Sequence, residues 1–220
     1  MTVVREVSAS RASRIELFVR KTIRPALWLL VVVPAVWAVF ALFTDNLGAE
    51  PVEALEHYTG EWTLRLLAGC LAVTPLIRLT GWGWLVPQRR FLGLAAFFWA
   101  LGHLLVYIGI DKFFDVHDIV EDVLEHLYVT VGMLAFVLMI PLALTSTKAS
   151  IRKLGGKTWN RLHRLVFVSA IAGCIHYLWA VKNDTREPML YTAVFVVLIA
   201  SRLVLRRPLR RQAKQAVPAA

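Results

Sequence analysis

Six stretches of this chain stay apolar long enough to cross a bilayer: residues 25–43, 62–79, 91–110, 124–144, 160–181 and 189–205. A helical span needs about 20 such residues at a rise of about 1.5 Å each. Polar or turn-rich segments separate them. No stretch alternates apolar and polar positions with period two, so a transmembrane β-barrel is excluded. The pattern predicts an all-α, polytopic bundle of six transmembrane helices, forming a single domain over residues 1–220. The first run is too long for the apolar part of a signal peptide and has no clear cleavage site after it, so it is read as an uncleaved helix.

Composition agrees with that pattern. Of the 220 residues, 58% are hydrophobic and 18% charged, and the mean hydropathy is +0.60. These values lie outside the usual range of a soluble domain. The net charge of +10 raises nucleic acid as a partner, but the charges sit between apolar runs and not along one face. Topology explains them better. Taking both termini and the second and fourth connections as one side gathers 21 of the 25 basic residues there and leaves 13 of the 15 acidic residues opposite. The positive-inside rule then places both termini in the cytoplasm and the acidic connections outside. Cys70 and Cys174 each lie inside an apolar run, and no C-x-x-C-H motif offers covalent haem attachment. Both read as small buried residues.

The candidate chemistry lies in the histidines. His103 and His176 fall about two-thirds of the way along runs that both lead outward, and so at matched depth in the outer half of the membrane. Imidazoles inside a span are functional candidates. Two on facing helices at one depth are what a six-coordinate b-type haem requires; otherwise they are two buried polar groups bonded between helices. His163 lies near the inner end of the fifth run, between Arg161 and Arg164. It has no histidine partner at its depth on the third run. It fits a flavin, a quinone, a haem with a weaker second ligand, or a polar residue at the interface. Arg65 can pair with Glu61 or with a haem propionate. Arg89 and Arg90 read first as topology signals, with a flavin phosphate or a lipid as the sharper alternative. His57, His117 and His126 lie in or beside acidic connections, as solvated residues or an adventitious metal site with Asp115, Asp118 and Glu121.

Several blocks resemble one family in order and spacing: GAEPVEALEHYTGEWTLRLL, VTPLIR, RRFLGLAAFFWALGHLLVY, LTSTKASIRKLGGKTWNRLHRLVF and IHYLWAVK. They are similar to MsrQ, the haem-binding membrane subunits of the periplasmic methionine sulfoxide reductase systems of Gram-negative bacteria. That family lies within the ferric-reductase-like transmembrane superfamily. The resemblance covers roughly residues 25–205. It implies a multi-pass inner-membrane protein with haem b, one copy being supported by the histidines, and His103, His163 and His176 at the family's haem positions. It also implies electron transfer from the quinone pool to MsrP, a periplasmic molybdenum enzyme that repairs oxidised proteins. The chain itself would be a non-catalytic electron-transfer subunit with no catalytic residue. FMN is implied by the resemblance alone. The Arg89–Arg90 region stands where superfamily relatives carry a fourth histidine.

Two other readings compete. One is a ferric-reductase-like cytochrome with a different partner. Those usually carry a fused nucleotide domain after the last helix, whereas only 15 residues follow Leu205 here, so a separate electron donor is expected. The other is a metal-ion transporter. That would place carboxylates inside helices, whereas the acids here fall at helix ends and in connections.

Overall fold

The computed structural model describes residues 14–44, 46–181 and 184–205, the side chain of Leu203 excepted. Among these, all regular structure is helical. The helices are α1 (Arg24–Phe43), α2 (Pro51–Thr80), α3 (Val86–Val106), α4 (Val116–Glu125), α5 (Leu127–Leu144), α6 (Lys148–Leu162), α7 (Leu165–Ala180) and α8 (Arg186–Val204). A π-helical turn, Tyr107–Asp111, extends α3. Part of the charge asymmetry, including Arg5, Arg11, Lys182 and the tail from Arg206, lies outside the described residues.

Four helical stretches of the described residues are long and apolar enough to cross a membrane: Arg14–Phe43, Pro51–Thr80, Gly83–Asp111 and Leu127–Leu144. The pair α6 and α7, bent by 40°, makes a fifth if it is one span. The protein is therefore a multi-pass membrane protein by length and composition. The chain divides into two compact units, Met1–Thr59 and Gly60–Ala220. In the first, the Tyr58 hydroxyl donates to the Pro34 carbonyl at 3.2 Å, and its ring rests 4.6 Å from Trp37. The second unit carries every candidate site residue.

Several connections prove to be helix. The acidic segment expected as a loop over Thr44–Glu61 is helical from Pro51, because one buried stripe with Leu55 and Thr59 is enough to hold a helix that also carries Glu53, Glu56 and Glu61. The third run begins five residues early, at Val86, where Pro87 suits a first helical turn. The acidic segment before α5 contains α4, capped by Asp115, whose carboxylate accepts from the backbone N–H groups of His117 and Asp118 at 2.9 and 3.2 Å. The basic segment after α5 is α6, interrupted where Gly155 takes φ 72°. The fifth run is broken: α6 ends at Leu162 and α7 starts at Leu165. His163 therefore does not continue the helix that carries His176, as an unbroken run would require.

Helices α5 and α7 pack most extensively against each other. Two side chains of α7 set their antiparallel register. The Ser169 hydroxyl donates to the Ala135 carbonyl at 2.8 Å, and His176 Nδ1 donates to the Tyr128 carbonyl at 2.7 Å. Seven residues, about two helical turns, separate the contacts on both helices. A further tie follows from a proline. Pro75 lies inside α2 and has no N–H, so the Leu71 carbonyl four residues earlier loses its helical donor. Arg202 of α8 supplies one, Nη2 to Leu71 O at 2.8 Å, and its guanidinium lies over the Phe167 ring.

Candidate functional site

His103 on α3 and His176 on α7 face each other with ring centroids 6.1 Å apart. The local sequence makes room for both rings. A Cβ on Gly132 of α5 would lie 2.6 Å from His176 Nδ1, so the ring occupies the space that any other residue there would fill. Gly60 lies beside His103, where a Cβ would meet Cε1 at 3.4 Å, an ordinary contact. Trp99, one turn before His103, is buried and stacks with Trp62 at 5.7 Å. A carbonyl can only accept, so the bond to Tyr128 fixes His176 with its proton on Nδ1 and its lone pair on Nε2. That is the tautomer a metal ligand needs, with the second ring nitrogen held by a carbonyl. Metal–imidazole bonds are about 2.0–2.1 Å, which puts the centroids of two rings on opposite sides of one ion about 6 Å apart. The donor set and the separation fit an iron between two imidazoles.

Next to His176, the Tyr177 hydroxyl meets the carboxylates of Glu61 at 3.0 Å and Glu187 at 3.3 Å. Arg65 pairs with Glu61 at 2.6 Å, donates from Nε to the Tyr191 hydroxyl at 2.9 Å, and lies over the Trp62 ring. The Glu61 pairing open to Arg65 in the sequence is present in the structure. Glu61, Arg65, Tyr177 and Tyr191 thus form a polar cluster joined to the His176 end of α7.

His163 sits elsewhere, at the α6–α7 break. The Thr145 hydroxyl has one proton and donates it to the Pro141 carbonyl at 2.6 Å. Toward His163 it therefore accepts, from Nε2–H at 3.1 Å. Trp159 stacks on the imidazole at 3.8 Å and donates from Nε1 to the Thr145 carbonyl at 2.9 Å. The ring is held in the opposite tautomer from His176, with its lone pair on Nδ1. Arg89 lies within electrostatic reach of His163, Cys70 and Arg202. Its carbonyl accepts from the Cys70 thiol at 3.3 Å. Arg90 is exposed. Near Arg89, the Nε atoms of Arg78 and Arg202 and the amide nitrogen of Gln88 are buried without a hydrogen-bond acceptor in the protein. Buried cationic donors of this kind fit a bound anion.

The sequence singled out His103 and His176, and the structure brings them together. It keeps His163 apart. It also supplies residues that sequence reasoning missed: Tyr128, Gly132, Gly60 and Thr145. Glycines inside apolar helices are a weak signal of close approach. Nothing in the sequence marks which carbonyl a histidine will use.

The chain is similar to known proteins along most of its length. Residues 59–174 match the family described as ferric reductase like transmembrane component, which contains both His103 and His163. The protein-methionine-sulfoxide reductase heme-binding subunit MsrQ of Azospira oryzae is 48% identical over 183 residues, covering 83% of this chain and 78% of its own. The MsrQ of Rhodospirillum rubrum is 44% identical over 181 residues, 82% of this chain and 87% of its own. The chain belongs to the MsrQ family. A third MsrQ, from Brucella anthropi, is 44% identical over 201 residues and covers 89% of this chain and 90% of its own, so the likeness runs through nearly all the helices. No solved structure matches the chain. His176 lies beyond the end of the ferric-reductase match.

Proposed function

We propose that the protein holds one b-type haem between His103 and His176 and passes electrons from the membrane quinone pool to a periplasmic molybdenum methionine sulfoxide reductase of the MsrP type. The observation that carries this reading is the facing imidazole pair at 6.1 Å, with His176 fixed by the Tyr128 carbonyl. The haem supplies a one-electron carrier. The residues around it do the rest. The Tyr128 carbonyl orients His176 and raises its basicity. Trp99 and Trp62 keep the surround apolar and exclude water. Arg65, tied through Glu61 and Tyr177 to the segment next to His176, offers a guanidinium to a propionate. The chain is the electron-transfer subunit, and the catalytic chemistry belongs to the partner.

The proposal includes six spans, with α8 as the sixth, one transmembrane domain in the bacterial inner membrane, and both termini in the cytoplasm. The acidic connections then face the periplasm and favour a partner with a basic docking patch. An FMN, where bound, fits the inner end. The orphaned donors of Arg78, Arg202 and Gln88, with Arg89 and Arg90 beside them, suit its phosphate, and His163 with Trp159 suits the edge of a flat ring system. Reduction of the purified protein, followed by addition of the partner and a sulfoxide substrate, tests the electron path. The haem band should reoxidise, faster at low salt than at high salt. Reoxidation no faster than without the partner would remove the donor role.

A further inference from the structure

The segment between the end of the α3 span and the start of α5 leaves and re-enters the bilayer at one membrane face, since Gly83–Asp111 ends there and Leu127–Leu144 begins there. The ten residues of α4 extend about 15 Å, half a bilayer core, so α4 cannot cross. Its residues divide into three arcs. Ile119, Asp122 and Val123 are half-buried and face the protein. His117, Asp118, Glu121 and Glu125 are exposed and polar. Val116, Val120 and Leu124 form an exposed apolar stripe at i, i+4 and i+8, with exposures from 51% at Val120 to 77% at Leu124. At 100° per residue, the apolar arc and the polar arc lie side by side, each bounded by the inward arc.

A helix in water next to a bundle has two faces, one buried and one polar. A third, apolar and exposed, calls for a third medium. We propose that α4 is an interfacial helix whose Val116–Val120–Leu124 stripe lies in the headgroup–acyl boundary of the membrane that the neighbouring spans cross. The occupant is lipid, because the helix is tethered at both ends to spans at that surface.

Local structure fixes the helix in this orientation. Phe113 and Phe114 take φ of 45° and 60°, a left-handed turn that bulky residues adopt only when the surroundings impose it. Phe114 packs on Gly109, where a Cβ would meet its Cζ at 3.1 Å. Asp122 anchors the inward arc. It accepts from the Tyr107 hydroxyl at 2.7 Å and pairs with Lys112 at 3.1 Å and His126 at 2.7 Å. The Thr130 hydroxyl donates to the Val123 carbonyl. These bonds hold the apolar stripe level with the membrane surface and point Asp118, Glu121 and Glu125 to water.

The test uses the full-length haem-loaded protein in vesicles of phosphatidylethanolamine and phosphatidylglycerol. Single cysteines are spin-labelled one at a time, from Val116→Cys to Glu125→Cys. The native Cys70 and Cys174 are buried. Collision with dissolved oxygen reports lipid, and collision with a water-soluble nickel chelate reports water. Labels at Val116, Val120 and Leu124 should show an oxygen-to-nickel ratio several-fold above those at His117, Glu121 and Glu125. Labels at Ile119 and Val123 should respond weakly to both. The polar-face labels show that the helix survives labelling. Equal nickel access on stripe and polar face would overturn the proposal. So would a stripe that is open to water until a soluble reductase is added, which would assign it to a protein partner.

Discussion

The two histidine regions of the large unit differ in how the backbone treats the ring. His176 sits inside a continuous helix, about one turn from its end, its ring pressed against a glycine of a neighbouring helix and its proton given to a backbone carbonyl. His163 sits where a helix has stopped, its ring stacked on a tryptophan and its proton given to a hydroxyl. The first environment gives one imidazole a facing imidazole, and the second gives an imidazole an indole and a nearby arginine. Two imidazoles on one face of a helix point the same way, so imidazoles that approach one point from opposite sides come from two helices. A broken helix exposes ends and hydroxyls, and it binds planar or anionic groups more naturally than an iron with two imidazoles. Similar residue types therefore yield different sites.

That contrast breaks most sharply at the ligands. His176→Ala or His103→Ala should abolish the low-spin haem spectrum, because one imidazole cannot keep the iron six-coordinate. His163→Ala should retain at least part of it. An absorption spectrum of each variant, oxidised and dithionite-reduced, decides; a normal low-spin spectrum in His176→Ala would mean that the axial pair is wrong.

The glycines sharpen it next. Gly132→Ala puts a Cβ 2.6 Å from a ring that is already tied to Tyr128, and overpacking of this kind costs about 1–3 kcal/mol. The variant should lose most of its haem and melt lower. Gly60→Ala, with its nearest contact at 3.4 Å, should keep haem near the parent level. Equal haem content in the two variants would show that the Gly132 contact does not position the ring.

A smaller effect should appear on the other side. Thr145→Val removes the acceptor of the His163 N–H and should cost about 1 kcal/mol in thermal unfolding. The low-spin spectrum of the His103–His176 pair should not change. A change there would couple the two regions and defeat the comparison.

The smallest effect lies outside both. Burial opposes the charge on Asp122, but the Tyr107 hydroxyl, the Lys112 ammonium and His126 hold its carboxyl below the usual range. A lowered folded value gives stability that is present above the ordinary carboxylate value of about 4 and is lost as pH falls through the folded value. Melting temperature should fall over that acid range, and less steeply in Asp122→Asn. The haem spectrum should not follow this titration, so the same series serves as a control on the larger effects.

The sequence by itself determined the helical class, most spans and the two histidines of the pair. Apolar runs of about 20 residues have few solutions in lipid, because every backbone group must be bonded within the segment. It missed the helices of the connections, α4, α6 and the start of α2, for a related reason. Those helices need only one buried stripe, and acids or bases on the remaining positions read as loop. It also ran the fifth helix straight through Leu162–Leu165, since no proline or glycine stands there to mark the 40° bend. Only the tertiary structure decided that Tyr128 would hold His176, that Gly132 would clear its ring, that Arg202 would serve the carbonyl freed by Pro75, and that His163 would turn to Thr145 and Trp159. All but the Trp159 stack join residues well apart in the chain, through a backbone carbonyl, a missing Cβ or a hydroxyl. Such features exist only once two helices have taken a particular register.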